Sequence, residues 1–362
     1  DDFLNKIKAR FDATEDRFNA LHEQRIRIGF DPERIERYLY YGLAKKGISF
    51  DSKKLVFLKH HLCHAASTFY ASDFDEASIL TIDGSGEEFT CVLWHGKDGE
   101  IEQIKAYELP DSLGGFFGTF TEFLGFKVDE EEGKLMGLAP YGNYCQDTQN
   151  KLSRILSFDK ETGDFQVNPM YRFYGERQYG SHFTEKLVEL FGKPRLRNDP
   201  IEEHHKVIAY NVQWKLEQVV ISLVKNLIRI TGCANVCLAG GVAMNCKANG
   251  LVAMLDEVEQ IFVQPAASDN GIALGAAYLM AKADGVSKFD SLEHCYWGPS
   301  YVDESIEAAL KEAKISYHRS RDIVAETAGH LARGRIVGWF QGAMEVGARA
   351  LGNRSILVHR LC

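Results

Sequence analysis

Residues 60–64 read HHLCH, which places three histidines within five positions of a 362-residue chain that has only 12. A helix begun near His60 would put His60 and His64 on one face, four residues apart, with His61 pointing elsewhere. That spacing lets two imidazoles bind one metal ion. It also suits a polar helix N-terminus with no metal. The zinc-protease pattern is excluded, because it requires Glu directly after the first His and this chain has His61 there. Asp83 ends the apolar run ASILTID and is followed at once by GSGEE. A carboxylate at the mouth of an apolar strand needs a partner, because an unpaired buried charge is costly. A metal would supply that partner, and so would the amides of a tight turn. Asp269, in PAASDNG, occupies the matching place after a second apolar run, where a helix N-cap is the competing role. Two imidazoles with two carboxylates suit iron, manganese or zinc better than calcium or magnesium.

Two glycine loops form the other chemical feature. DGSGEE and AGGVAMN each follow a strand-like run, and the second opens a helix, so their amides are candidates to receive phosphate oxygens. Neither matches a Walker loop or a dinucleotide fingerprint, and tight turns would use the same residues.

These residues need elements to position them. KLVFLK (54–59) reads as a buried strand, HLCHAASTFYAS as a short helix, and ASILTIDG, FTCVLWHG and IEQIKAYEL as an antiparallel meander with short turns. SLGGFFGTFTEFLGF is helical in pattern, and 143–203 is polar and aromatic without a clean period, as expected of an insertion or loops. From 204 a long helix carries Val212, Leu216, Val219, Val220, Leu223, Val224 and Leu227 on one stripe. NVCLA and QIFVQP each lead through a loop into a helix, which predicts neighbouring parallel strands whose carboxyl ends carry the two loops; ligands collect at such ends. Residues 1–50 and 300–333 are helical in pattern, and RIVGWFQG begins a further strand.

Composition narrows the function classes. The net charge is 42 − 51 = −9, so no broad basic face for nucleic acid is expected. The eight cysteines are scattered, as in a reducing cytoplasm rather than a disulfide framework, and Cys233 and Cys237 lack the spacing of a structural zinc site. No apolar run is long enough to span a membrane.

Taken in order, HHLCHAASTFY, LTIDGSGE, EEGKLMGLAPYG, CLAGGVAMNCKANG, VQPAASDNGIALGAA and GWFQGAMEVGARALGNRSIL resemble the NodU/CmcH-type O-carbamoyltransferases from about residue 54 to 357. The resemblance implies an α/β fold. Residues 1–320 would form a duplicated large domain of the actin/Hsp70/sugar-kinase (ribonuclease H-like) type, lacking its first strand hairpin and similar to the tRNA threonylcarbamoyl-transfer enzymes. Residues 321–362 would be the incomplete start of a YrdC-like, carbamoyl-adenylate-forming α/β domain.

The same resemblance makes His60, His64, Asp83 and Asp269 the metal ligands, with iron the usual ion. Gly84, Ser85, Gly86 and Glu87 correspond to a phosphate loop, and Gly240, Gly241 and Asn245 to a second nucleotide-contacting loop. Lys134 matches a signature Lys beside the nucleotide, Arg349 and Arg354 correspond to phosphate-pairing groups, and His61 is a candidate base toward the acceptor hydroxyl. The implied reaction is ATP-dependent: carbamoyl phosphate and ATP give carbamoyl adenylate, whose carbamoyl group passes to a hydroxyl. The expected acceptor is a small molecule such as a sugar, an aminoglycoside or a similar natural product. A homodimer and a cytoplasmic location are expected, with no nucleic-acid or membrane partner. The alternative is a catalytically incomplete nucleotide- and metal-binding module that needs a partner chain. Three departures accompany the match: no leading HD motif, Ala343 and Ala348 where Arg and Pro are common, and an end soon after Leu357. They point to truncation at both ends.

Overall fold

The structure, a computed structural model, describes residues 31–49, 51, 54–172 and 182–359; the helical pattern expected over 1–30 lies outside them. The chain forms two compact units, one up to Asp290 and one from Ser291. The boundary expected at 320/321 falls inside the second.

Among the described residues the first element of the first unit is helix α1 (Pro32–Ala44), whose Asp31 cap accepts from the Glu33 amide. Helix α2 (His60–Phe69) follows, then the meander β1 (Glu76–Gly86), β2 (Phe89–Lys97) and β3 (Glu100–Glu108). Next come α3 (Leu113–Phe123), α4 (Glu132–Leu138), α5 (Gln146–Leu152), the hairpin β4 (Leu156–Phe158) and β5 (Phe165–Val167), and α6 (Glu185–Phe191). The described part of 143–203 thus carries two short α-helices and a hairpin, as an insertion can. The long helix α7 (Glu203–Thr231) stops at Gly232, which takes the left-handed conformation a C-terminal cap requires. It leads into β6 (Asn235–Ala239), α8 (Cys246–Ala253), β7 (Gln260–Val263) and α9 (Ile272–Ala283).

The main sheet has the order β3-β2-β1-β6-β7. β1, β2 and β3 pair antiparallel, while β6 runs parallel to both β1 and β7. Alternation along β1 sends Leu80 and Ile82 into one core and Ile79 into the other. The first core holds Phe116, Phe120 and Phe123 of α3 against the apolar stripe of α7, every member of which is buried. Each fully buried aromatic of this kind stabilises by about 1.5–3 kcal/mol. The second core packs Ala65, Ala66 and Phe69 of α2, with Tyr278 and Leu279 of α9, against Ile79, Val92 and Trp94. The result is a three-layer α/β/α sandwich with α2 and α9 on one face.

Residues 54–59 are not the strand expected of them: Val56 and Phe57 are 54% and 55% exposed. Both sides of β1 are occupied by β2 and β6, so KLVFLK has no central ladder position to enter. No helix among the described residues is long and apolar enough to cross a membrane.

The second unit contains α10 (Asp303–Glu312), α11 (Ile323–Ala332) and an antiparallel pair, β8 (Val337–Phe340) with β9 (Arg354–Leu357). The strand expected from RIVGWFQG thus finds its partner within this unit.

Candidate metal centre

Helix α2 begins at His60, one turn before His64, and its first amide is capped from outside: His60 N donates to Glu87 Oε1 at 3.3 Å. Glu87 lies in the two-residue turn between β1 and β2. The β1–β2 register shifts between Ile82 and Gly86, so Asp83–Ser85 bulge outward at the end of the strand. Bulges of this kind re-aim side chains, and this one turns Asp83 toward α2. Asp269 arrives on the single 3₁₀ turn that precedes α9.

The four side chains meet. His60 Nε2 and His64 Nε2 are 3.0 Å apart, His64 Nε2 and Asp83 Oδ2 3.0 Å, and His60 Nε2 and Asp83 Oδ2 3.6 Å. Asp269 Oδ1 is 3.6 Å from each imidazole nitrogen. All four donor atoms lie within 4.8 Å of one another. Ligands about 2.0–2.2 Å from a common ion sit roughly 2.8–3.6 Å apart in tetrahedral or cis-octahedral arrangement, so this donor set fits one divalent metal. His64 is fully buried, whereas the Asp269 side chain is 70% exposed and forms the open side.

Electrostatics agree with the geometry. Burial works against the charge on Asp83, but hydrogen bonds from His60, His64 and the Gly84 amide outweigh it and hold the carboxyl far below its usual range. Burial likewise opposes protonation of His64, and the hydrogen bonds of Asp269 and Asp83 outweigh it and raise its pKa. His64 Nδ1 is buried with no hydrogen-bond partner among the described residues, so the ring is oriented through Nε2 and by packing.

Both glycine loops converge on Asp83. The Gly84 amide donates to Oδ1 at 2.6 Å and the Gly241 amide to Oδ2 at 3.1 Å. The Gly240 amide donates to the Ala267 carbonyl at 2.7 Å. These three amides, expected to face phosphate, instead hold the carboxylate ligand and the segment leading to Asp269. A buried carboxylate needs such donors whether or not a nucleotide is present.

Residues 26–278 match the family model described as carbamoyltransferase N-terminus, and residues 328–361 match carbamoyltransferase C-terminus. This chain belongs to the carbamoyltransferase family. An uncharacterised protein of Synechocystis is 40% identical over 319 residues, 85% of this chain and 51% of that protein. Nodulation protein NolNO of Sinorhizobium fredii is 35% identical over 358 residues, 95% and 50% of the two chains. The 3'-hydroxymethylcephem-O-carbamoyltransferase of Amycolatopsis lactamdurans is 36% identical over 370 residues, 91% and 61%. The chain spans about half the length of the first two of these relatives.

Other expected residues fall elsewhere. His61 faces away from the cluster, 1% exposed, with Nε2 donating to the Phe89 carbonyl at 3.1 Å and Nδ1 2.9 Å from Thr81 Oγ1. Burial, with His60 and His64 adding to it, lowers its pKa to about 4. Both ring nitrogens are thus engaged inside the core rather than turned toward the four-residue cluster. Asn245 is 6% exposed and its side-chain amide is bonded to Gln213. Ser85 is exposed on the bulge. Lys134 lies on the surface of α4, its Nζ 2.5 Å from Glu131. In the second unit, Arg354 Nε is 3.3 Å from buried Glu345, and its Nη2 donates to the carbonyls of Gly347 and Arg349. Arg354 therefore braces the loop that carries Arg349.

Sequence reading missed several supports. Ser112 Oγ donates to the Gly84 carbonyl at 2.6 Å and caps α3 through the Gly115 amide. Gly114 lets that helix approach: a Cβ there would lie 2.6 Å from Gly84 N. The SLGG tetrapeptide, a cap residue followed by paired glycines, was the available signal.

Proposed function

We propose that this chain forms the transfer domain of an ATP-dependent O-carbamoyltransferase acting on a hydroxyl of a small-molecule acceptor. The observation that carries the reading is the meeting of two imidazoles and two carboxylates at one point in a chain of the carbamoyltransferase family. The acceptor class is supported by a relative named for carbamoylating a 3'-hydroxymethylcephem. In the proposed reaction the acceptor hydroxyl oxygen bonds to the carbamoyl carbon of carbamoyl adenylate as that carbon's bond to the AMP phosphate oxygen breaks; AMP leaves with the electron pair, and the hydroxyl proton passes to solvent.

His60, His64, Asp83 and Asp269 would hold the divalent ion, iron in the family's usual form, which when bound supplies a Lewis acid for a carbonyl oxygen. The Gly84 and Gly241 amides keep Asp83 ionised and aimed. His61 braces α2 against β1 and β2 through Thr81 and Phe89. The exposed side of Asp269 leaves a path from solvent. With three loop amides engaged by the protein, nucleotide phosphate contact falls to Ser85 and to Lys134. The Lys134 pair with Glu131 is exposed on the lysine side, where surface ion pairs are weak, and can be left at small cost. Arg349 is the proposed phosphate partner in the second unit. The meander extended by two parallel strands supports an actin/Hsp70/sugar-kinase type for the first unit; the duplication and the YrdC-like character of 321–362 rest on the resemblance.

The test is metal analysis of the purified full-length protein together with product formation from ATP, carbamoyl phosphate and a panel of sugar and aminoglycoside alcohols. Asp83→Asn is expected to lose bound metal and transfer by about 100-fold or more. Wild-type transfer by that variant would sink the proposal. Carbamoyl-phosphate-dependent ATP–pyrophosphate exchange without transfer to any acceptor would favour an incomplete module.

A further inference from the structure

We infer that Gln213, near the middle of α7, is a positioning residue for the metal centre, acting through Asn245 and the loop that Asn245 closes; the inference rests on the metal reading above. Gln213 and Asn245 are 3% and 6% exposed. Their amides exchange two hydrogen bonds: Gln213 Nε2 donates to Asn245 Oδ1 at 2.9 Å, and Asn245 Nδ2 donates to Gln213 Oε1 at 2.8 Å. Glu217, one turn further on, accepts from the same Gln213 Nε2 at 2.8 Å. An ionised carboxylate only accepts, so Glu217 fixes which end of the Gln213 amide faces it. That choice sets the direction of both bonds to Asn245. Asn245 Oδ1 also accepts from the Ala248 amide at 3.1 Å, as the N-cap of α8. Each nitrogen and oxygen of the two amides has a partner.

The other end of the 240–245 loop touches the metal centre. The Gly241 amide donates to Asp83 Oδ2, and the Gly240 amide holds the Ala267 carbonyl two residues before Asp269. Gly240 has φ +94°, and a Cβ there would lie 2.2 Å from the Ile82 carbonyl oxygen, so the loop crosses directly over the end of β1. A loop fixed this tightly at one end moves as a unit if its other end is released. Removing the Gln213 amide leaves the Asn245 amide buried with lost partners, a state costly enough to shift the loop. The Gly241 donor then leaves Asp83, and the Gly240 anchor shifts the approach of Asp269. Gln213 bonds to none of the four ligands directly.

The experiment is Co²⁺ titration of the full-length protein followed by visible absorption, with urea unfolding of the metal-free protein in parallel. Gln213→Leu is expected to bind Co²⁺ about 10–100-fold more weakly, with a changed visible band, as for loss of an outer support to a metal ligand. Asn245→Leu should do the same, and the double variant should be no worse than either alone. If Gln213→Leu does not fold, Glu217→Leu keeps the amide pair but removes its orienting carboxylate. It is expected to weaken Co²⁺ binding in the same direction, and Glu217→Gln, which retains an acceptor, to restore it. Wild-type affinity and spectrum in the folded variants would overturn the inference and leave the metal reading intact. A wild-type protein that binds no Co²⁺ would overturn the metal reading, and this inference with it.

Discussion

The ring of His60 lies directly over Gly86: a Cβ on Gly86 would be 2.2 Å from His60 Cδ2 and 2.4 Å from Cγ. The close approach involves the near end of the imidazole, and even His60 Cβ would be only 2.8 Å away. No small torsion relieves such a clash, so an added methyl forces His60 into another rotamer. The glycine of the first loop thus serves the histidine that it faces. Gly86→Ala is expected to lower Co²⁺ affinity at least about tenfold while the fold persists, as checked by titration and circular dichroism. Unchanged affinity would show that His60 is not a ligand.

The approach of α2 to α9 depends on Gly275 in the same way, because a Cβ there would sit 1.8 Å from the Cys63 carbonyl oxygen. Backbone rather than a flexible side chain is the obstacle, so Gly275→Ala must part the helices. Overpacking of this kind costs about 1–3 kcal/mol, which urea unfolding will report. Because Asp269 precedes α9 and the histidines lie on α2, metal affinity should fall as well. A variant with wild-type stability would contradict the packing described.

Glu217 predicts a pH dependence. Burial raises its pKa, with the Gln213 hydrogen bond opposing that rise. The folded chain therefore keeps this proton to higher pH than the unfolded chain, where a glutamate titrates near about 4.3. The associated stability is present below that value and is lost as pH rises through the folded pKa. Glu217→Gln should remove this contribution, making the variant more stable relative to wild type at about pH 7 than at about pH 4.5. Urea midpoints at the two pH values test it, and an identical difference in both proteins would refute it.

The cysteines divide by burial. Cys91 and Cys237 are fully buried and Cys63 is 5% exposed, whereas Cys246 is exposed. Burial pushes the Cys237 thiol up to about 12 and Cys63 to about 11, so neither offers thiolate at neutral pH. Alkylation of the native protein, read by peptide mass spectrometry, should label Cys246 early and leave Cys63, Cys91 and Cys237 until the chain unfolds. Early labelling of any of the three would mean that the sheet, or α2 packed on it, opens more readily than the packing implies.

The sequence by itself determined the elements whose signals are local. The α7 stripe from Val212 to Leu227, the His60/His64 spacing and the two strand–loop–helix units depend on periods of a few residues, which any stretch of chain reveals. The order of six motifs was enough to place the family. Tertiary structure decided what each motif faces. Asp83 and Gly241 are 158 positions apart, and Gln213 and Asn245 are 32 apart. Nothing in a local pattern says that glycine amides will hold a carboxylate rather than a phosphate. KLVFLK reads as a strand because its residues favour one, yet β2 and β6 already flank β1 and no central ladder position is left for it. His60 and His61 are neighbours in sequence, and a rotation of about 100° per residue along α2 separates an imidazole aimed at the metal centre from one in the core. Side-chain chemistry is local information, whereas convergence is set by which strands pair and where backbones can touch.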